Sequence, residues 1–166
     1  MRPIVNVDEL SWQSHEHGQT FAARGASIST RIGAQKLGYR ITVVPPGMKA
    51  WPLHNHHANE EMFFILEGSG TLRQGNRLHA IRAGDFICSP AGDRSTAHQI
   101  INDSDAELHY LCVSTMVRPE ITEYPDSEKF SAAAGPTAAL PAAKAPPAFV
   151  HLGKTASEVD YWQGEI

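Results

Sequence analysis

Four side chains in this sequence have the types and spacing of a metal site: His54 and His56, Glu61 five residues further on, and His98 downstream. His-x-His on an extended strand places two imidazoles on one face, because strand side chains alternate with a period of two. A carboxylate that follows a short turn can come back to the same point, and an imidazole from another strand completes a mixed N/O donor set. Such a set suits a divalent transition metal (Zn, Fe, Mn or Ni, with Co and Cu also compatible), and ligand type alone does not choose among them. Four protein ligands on an octahedral ion leave two positions open. A bidentate α-hydroxy carbonyl could be bound and polarised there, or, with iron, substrate and O₂ could bind side by side.

Other residues compete for these roles. His57 should point away from His54 and His56 by strand alternation, whereas Glu60 is a rival to Glu61. His15 and His17 repeat the His-x-His spacing among polar residues with no partner carboxylate, and an exposed loop is expected. His79 reads as exposed on a hairpin strand, His109 could face either way, and His151 belongs to the tail. Tyr39 and Tyr110 are the candidate catalytic residues, as proton donors or acceptors, although a core tyrosine often only satisfies its own hydroxyl. Trp51 and Arg40 lie near the expected mouth, where a surface role is expected. Arg40, Lys49 and Arg94 are the cations that could hold a phosphate. Thr96, Gln99 and Asn102 could anchor the second nitrogens of the imidazoles. The expected pocket wall is Tyr39, Ile41, Phe63, Ile65, Cys88, Leu111 and Val113. No Ser-His-Asp or Cys-His arrangement and no Gly-rich phosphate loop is present.

The elements that must position these groups are strands. Leu37 to Val44 is rich in β-branched residues and stops at Pro45-Pro46-Gly47. Ala50 to His56 and Glu61 to Glu67 follow. Met62-Phe63-Phe64-Ile65-Leu66 is apolar on both faces, as in a sheet covered on both sides. Gly68-Ser69-Gly70 leads into Thr71-Leu72-Arg73, and Gly75-Asn76 fits a two-residue hairpin turn. Arg77 to Arg82, Asp85 to Ser89, Ala97 to Ile101 and Glu107 to Met116 bring the total to about eight strands. With no long amphipathic helix between them, an antiparallel sandwich or barrel is expected rather than βαβ units.

At 166 residues the chain supports one domain and an appendage. Its 14 basic and 18 acidic side chains leave a formal charge of -4 without a basic block, which argues against nucleic acid as a partner. No apolar run reaches the ~18 residues that span a bilayer, and no apolar signal core opens the chain. A cytoplasmic protein with no membrane partner is expected. Cys88 and Cys112 lie in apolar runs and are expected as buried free thiols. Residues 1–35 read as an N-terminal arm and 36–125 as the barrel. Within residues 131–148 nine of eighteen are Ala and four are Pro. Pro blocks the helix that Ala favours, so 126–148 reads as an extended linker. Phe149, Val150, Leu152, Val159, Tyr161 and Trp162 make 149–166 a tail expected to dock on the barrel or on a partner subunit.

Written as a pattern, Gly47, six residues, His54-x-His56, four residues, Glu61, six residues, Gly68 resembles the first motif of the cupin superfamily. Gly84, five residues, Pro90-x-Gly92, five residues, His98, three residues, Asn102 resembles the second. The resemblance spans residues 36–116. It implies an all-β fold, the double-stranded β-helix or jelly-roll barrel, as a single domain with an Ala/Pro-rich C-terminal extension. It implies His54, His56, Glu61 and His98 as metal ligands, with Glu61 preferred to Glu60 because only Glu61 leaves six residues before Gly68. The second motif departs from the family pattern. Asp93-Arg94-Ser95-Thr96-Ala97 stand where two residues are usual, so three extra residues must bulge if His98 is to arrive. The chain looks most like single-domain bacterial cupins, some described as sugar-phosphate isomerases. The resemblance implies a metal-dependent isomerase or dioxygenase acting on a small polar metabolite, with a non-catalytic binding or sensor protein as the alternative. A storage role fits poorly. Small cupin barrels commonly pair, so a homodimer is expected.

Overall fold

Gly, Pro and Asn punctuation cuts this chain into short strands that can only bury their apolar pleats by stacking in two layers. The computed structural model describes residues 3–135 and 149–165. Its strands are β1 (Gln13–His17), β2 (Phe21–Ser27), β3 (Leu37–Val44), β4 (Asn55–His56), β5 (Glu61–Glu67), β6 (Ser69–Gln74) and β7 (Arg77–Arg82). β8 (Phe86–Ser89), β9 (His98–Ile101), β10 (Leu108–Thr115), β11 (Glu120–Tyr124), β12 (Lys129–Ala134) and β13 (Phe149–Lys154) follow. A single helical turn, α1 (Ser29–Ile32), sits between β2 and β3. Among the described residues no helix is long and apolar enough to cross a membrane.

One layer has the order β1-β2-β3-β10-β5-β8. The other joins β7-β6-β9 to β4-β11-β12-β13 through isolated bridges, His54 to His98 and Lys49 to Ile101. This is a jelly-roll barrel, a double-stranded β-helix. The core between the layers includes Phe63, Ile65, Leu72, Ile81, Ile87, Ile100, Leu108 and Tyr110. Fully burying a side chain such as Ile65 or Leu108 contributes about 1.5–3 kcal/mol, and both are 0% exposed.

Strand register decides which side chains face inward. Gly38, Arg40, Thr42 and Val44 of β3 stand opposite Ser114, Cys112, Tyr110 and Leu108 of β10. Cys112 and Tyr110 in turn oppose Phe63 and Ile65 of β5. The inner pleat of β10 is therefore Leu108, Tyr110 and Cys112. The expected wall residues Leu111, Val113 and Ile41 lie on the outer pleat, half-buried. Both pleats of β10 are apolar, so hydrophobicity alone does not set the phase. Cys88 is exposed, against expectation, because Ile87 and Ser89 take the inward positions of β8. The outer face of β5 is barely covered. Phe64 packs on Phe86 at 4.5 Å, and Phe86 is itself 75% exposed.

Both ends of the chain extend the layers. Residues 1–35 contain the hairpin β1–β2, so His15 and His17 lie on a strand rather than in a loop. β2 pairs with β3 and continues the first layer. Residues 129–134 of the expected linker form β12, which pairs with β13 from the expected tail; residues 136–148 lie outside the described residues. Residues 149–154 thus pair with β12 along the main chain, while Phe149, Val150 and Leu152 stay exposed.

Residues 57–60 carry the chain from β4 in one layer to β5 in the other. Asn59, buried, fastens this crossover: its Oδ1 accepts from the Val117 N–H at 2.6 Å and the Thr115 hydroxyl at 3.0 Å. Its Nδ2 donates to the Val117 carbonyl at 3.1 Å and to the Glu120 carboxylate. Glu120 Oε1 accepts from the N–H groups of His57 and Ala58 at 3.0 and 3.2 Å. Gly68 closes the far end of β5 with φ +84, and a Cβ there would meet the Glu107 carbonyl oxygen at 2.4 Å.

Two stability predictions arise from these joints. Asn59→Ala should lower the unfolding free energy in urea by about 2 kcal/mol, since buried partners lose their bonds. Gly68→Ala should cost about 3 kcal/mol, combining left-handed strain with the carbonyl clash; a loss under 0.5 kcal/mol would contradict the close approach.

Candidate metal centre

The reciprocal main-chain bonds between His54 and His98 explain how residues 44 positions apart meet. His54 N–H donates to the His98 carbonyl at 3.2 Å, and His98 N–H donates to the His54 carbonyl at 2.8 Å. Directly paired antiparallel residues project to the same face, so both imidazoles enter the barrel, their centroids 4.7 Å apart. His56 follows by strand alternation, 5.1 Å from His54. Glu61 comes from the facing layer, at the start of β5.

The four donors converge. Glu61 Oε2 lies 2.9 Å from His98 Nε2, 3.6 Å from His56 Nε2 and 3.8 Å from His54 Nε2. The donor atoms of His54, Glu61 and His98 all fall within 4.8 Å of one another. His56 stands slightly wider, 6.2 Å from the His98 ring. Glu60 is exposed while Glu61 is buried, which separates the two carboxylates that the spacing left in competition.

Each imidazole is gripped on its outer nitrogen. His54 Nδ1–H donates to the Pro52 carbonyl at 2.8 Å, and His98 Nδ1 faces the Thr96 carbonyl at 3.4 Å. A carbonyl accepts only, so these contacts hold the proton on Nδ1 when a metal takes the Nε2 lone pair, whereas an imidazole that donates from Nε2 to Glu61 while keeping this contact carries both protons. His56 Nδ1 faces Thr122 Oγ1 at 3.4 Å and Glu120 Oε2 at 3.7 Å. Gln99 and Asn102, expected as imidazole anchors, instead hold the main chain. Gln99 donates to the Trp51 carbonyl, and Asn102 to the carbonyls of Val44 and Ala106. Thr96 does serve, through its carbonyl rather than its hydroxyl.

The extra residues before His98 do not displace it. Asp93 accepts from the Ser95 N–H at 2.8 Å and its hydroxyl at 2.6 Å, folding Arg94–Thr96 into a tight helical turn. The Gly92 N–H donates to the His56 carbonyl at 2.8 Å, tying the loop to the second histidine.

Burial would raise the Glu61 carboxyl, but hydrogen bonds from His54, His56 and His98 hold it well below the usual range. Burial lowers His98, favouring neutral imidazole. For His56 burial also acts downward and is outweighed by Glu61 and Glu120, leaving it raised. An ionised Glu61 and a neutral His98 suit a transition metal, whereas His56 must give up a proton to ligate one.

The cluster floors an open cavity of about 430 Å³. Arg40, Trp51, Tyr110, Cys112 and Tyr124 share its lining. Burial, then the Glu61 charge, pushes the Cys112 thiol far up, and it donates to Glu61 Oε1 at 3.5 Å rather than acting as a nucleophile. Tyr110 is 1% exposed and its phenol is likewise pushed up by burial. Tyr39 reaches the wall but alternates with Arg40. Tyr124 is the phenol beside the cluster, its ring 6.2 Å from His54. Sequence reasoning missed Tyr124, Thr122 and Glu120, all on β11, whose pairing with β4 (Thr122 opposite His56) no local spacing reveals. Of the three expected phosphate cations, Arg94 pairs with Glu123 at 3.1 Å, and neither it nor Lys49 lines the cavity.

The family model described as "Cupin domain" matches residues 40–114. An uncharacterized protein of Methanocaldococcus jannaschii is 38% identical over 72 residues, 43% of this chain and 54% of that protein. The oxalate-binding protein of Thermotoga maritima is 31% identical over 70 residues, 42% of this chain and 54% of that one. The chain thus spans about half the length of these curated relatives. The crystal structure of a sugar phosphate isomerase from a cupin superfamily, from Silicibacter pomeroyi, superposes with a TM-score of 0.76 at 20% identity. It covers 93% of this chain and 94% of that one, a likeness of fold. Motif spacing, barrel topology and the family model agree on a cupin domain over residues 40–114.

Proposed function

We propose that this cupin is a metal-dependent enzyme that isomerises a small polar metabolite bearing a carbonyl beside a hydroxyl. The observation that carries this reading is the convergence of three imidazole Nε2 atoms on Glu61 Oε2, within 3.8 Å, at the floor of a cavity open to a ligand. The donor set fits a divalent transition metal held by His54, His56, Glu61 and His98. A metal bound there supplies Lewis acidity, polarising a ligand oxygen and acidifying the adjoining carbon.

The chain's own residues do the rest. Pro52, Thr96 and Thr122 fix the imidazole planes, which spares the site reorganisation. Phe63 packs 5.5 Å from the His98 ring and limits water on that side. The Tyr124 phenol lines the same cavity, its ring 6.2 Å from His54, and with its pKa raised by burial it can donate a proton to a ligand there. Tyr110 and Cys112, both protonated, can donate hydrogen bonds but not accept a proton. The solved neighbour called a sugar phosphate isomerase supports the reaction class by analogy of fold.

The test is elemental analysis joined to turnover. Protein purified without added metal should carry about one divalent ion per chain. His98→Ala should hold less than about a tenth of that and lose interconversion of hydroxy-aldehydes and ketones. A wild-type protein that takes up no Zn, Mn, Ni or Fe would overturn the proposal. Metal uptake with ligand binding but no turnover would identify a binding protein, and O₂ consumption an oxygenase.

A further inference from the structure

Arg40 is out of place for a surface residue. It occupies the inward pleat of β3, directly opposite Cys112, in a row that continues into buried Thr42 and Val44. Arg40 is half-buried, its Nε fully so, and drawing a guanidinium partly out of water is costly unless an anion compensates. Arg24, Arg73 and Arg94 each pair with a carboxylate. Among the described residues no carboxylate pairs with Arg40, and its buried Nε has no hydrogen-bond partner. Glu61, the acid on the far side of Cys112, is already occupied by three imidazoles and the thiol.

What Arg40 does have is a platform. Its guanidinium lies over the Trp51 ring, 4.9 Å from the centroid. Trp51 stacks on His15 at 4.2 Å, and His15 Nε2 donates to the Ala50 carbonyl at 2.9 Å. Cation–π contact returns about 1–2 kcal/mol, less than the desolvation it accompanies. It orients the planar donor fork, which also reaches the Cys112 sulfur, and leaves Nε without a partner. The N-terminal hairpin, through His15, therefore reaches into the cavity's construction.

We infer that Arg40 is the anion-binding residue of the cavity and that the ligand is a small organic acid whose carboxylate it receives. Arg40 is the only arginine or lysine in the lining among the described residues. A single planar guanidinium matches a planar carboxylate two-on-two, and its one charge balances that monoanion; the same fork fits phosphate, which the test below includes. One strand, β10, separates β3 from β5, a backbone spacing of about 10 Å. The acid's carboxylate and its electron-rich opposite end are thus separated by a few atoms, the latter facing the imidazoles. This inference rests on the reading of the same cavity as the binding site of the proposed enzyme.

The test uses full-length, metal-loaded protein and titration calorimetry with C2 to C6 hydroxy- and keto-acids, their uncharged amides, and glycerol phosphates. At least one acid should bind, its amide at least 10-fold more weakly, and Arg40→Gln should weaken the acid by about 10- to 100-fold. Arg40→Lys should recover part of that loss. In the unaltered protein, phenylglyoxal labelling of Arg40, read by mass spectrometry, should fall when the acid is present. That readout stands even if the variants fold poorly. Acids that bind Arg40→Gln undiminished, amides that bind as well, preference for the phosphates, or no acid binding at all would each overturn the assignment. Metal content is measured in parallel. Acid binding that needs Arg40 in a chain holding no metal would sink the metalloenzyme reading and leave this one standing, and a metal-loaded chain indifferent to Arg40→Gln would do the reverse.

Discussion

A carboxylate inside an apolar β shell costs several kcal/mol to desolvate, and most of this structure's local detail answers that cost at Glu61. Phe63 and Ile65, next inward on the same pleat, can be buried with profit; Glu61 cannot unless its oxygens are filled. Oε2 meets three imidazole nitrogens and Oε1 the Cys112 thiol. Those imidazoles are costly in turn unless their outer nitrogens are held, and carbonyls of Pro52 and Thr96 and the side chains of β11 hold them. The site is a chain of satisfied polar groups running from the barrel interior to its wall.

This explains why the supports lie where the two layers exchange strands. His54, His56 and His98 belong to one layer and Glu61 to the other, so the donors meet only if the crossover 57–60 holds the layers in register. Asn59 and Glu120 lock that crossover, and Glu120 also faces His56 Nδ1. A single acid thereby couples the hinge between the layers to the orientation of a proposed ligand. The turn at Asp93–Ala97 does the same for His98, absorbing three extra residues into a hydrogen-bonded turn instead of passing them on as a shift of β9.

The parts of this arrangement that could be read from the sequence are those set by short spacing. His-x-His parity, the return of Glu61 after a four-residue crossover, and the Gly and Pro stops around β3, β5, β6 and β7 are local, and they follow from strand geometry. Pleat phase was not readable. On β3 the pleat holding Tyr39, Ile41 and Val43 is more apolar than the one holding Gly38, Arg40 and Thr42, yet the second faces the cavity. On β10, Leu111 and Val113 are as apolar as the Leu108 and Cys112 that point inward. Hydrophobic contrast carries no information when both pleats are apolar. Distant pairings were equally hidden: Thr122 opposite His56, and β2 against β3, unite segments whose own patterns look like loop or arm.

The two charged residues of the inner pleats also bear on each other. Both side chains reach Cys112 on the strand between them, so their opposite charges attract across the thiol. Glu61 thereby eases the partial burial of Arg40, while the guanidinium stays over Trp51 and the carboxylate within its imidazole cage. A dication held by His54, His56, Glu61 and His98 would reverse the sign of the field that Arg40 faces, from net negative to net positive. The cavity would then hold two positive foci and no free acid of its own. Its affinity for an anion should rise with metal occupancy, because the same ligand answers both charges. The half-buried Arg40, its Nε unpartnered, fits a cavity whose charge balance is completed by what it binds.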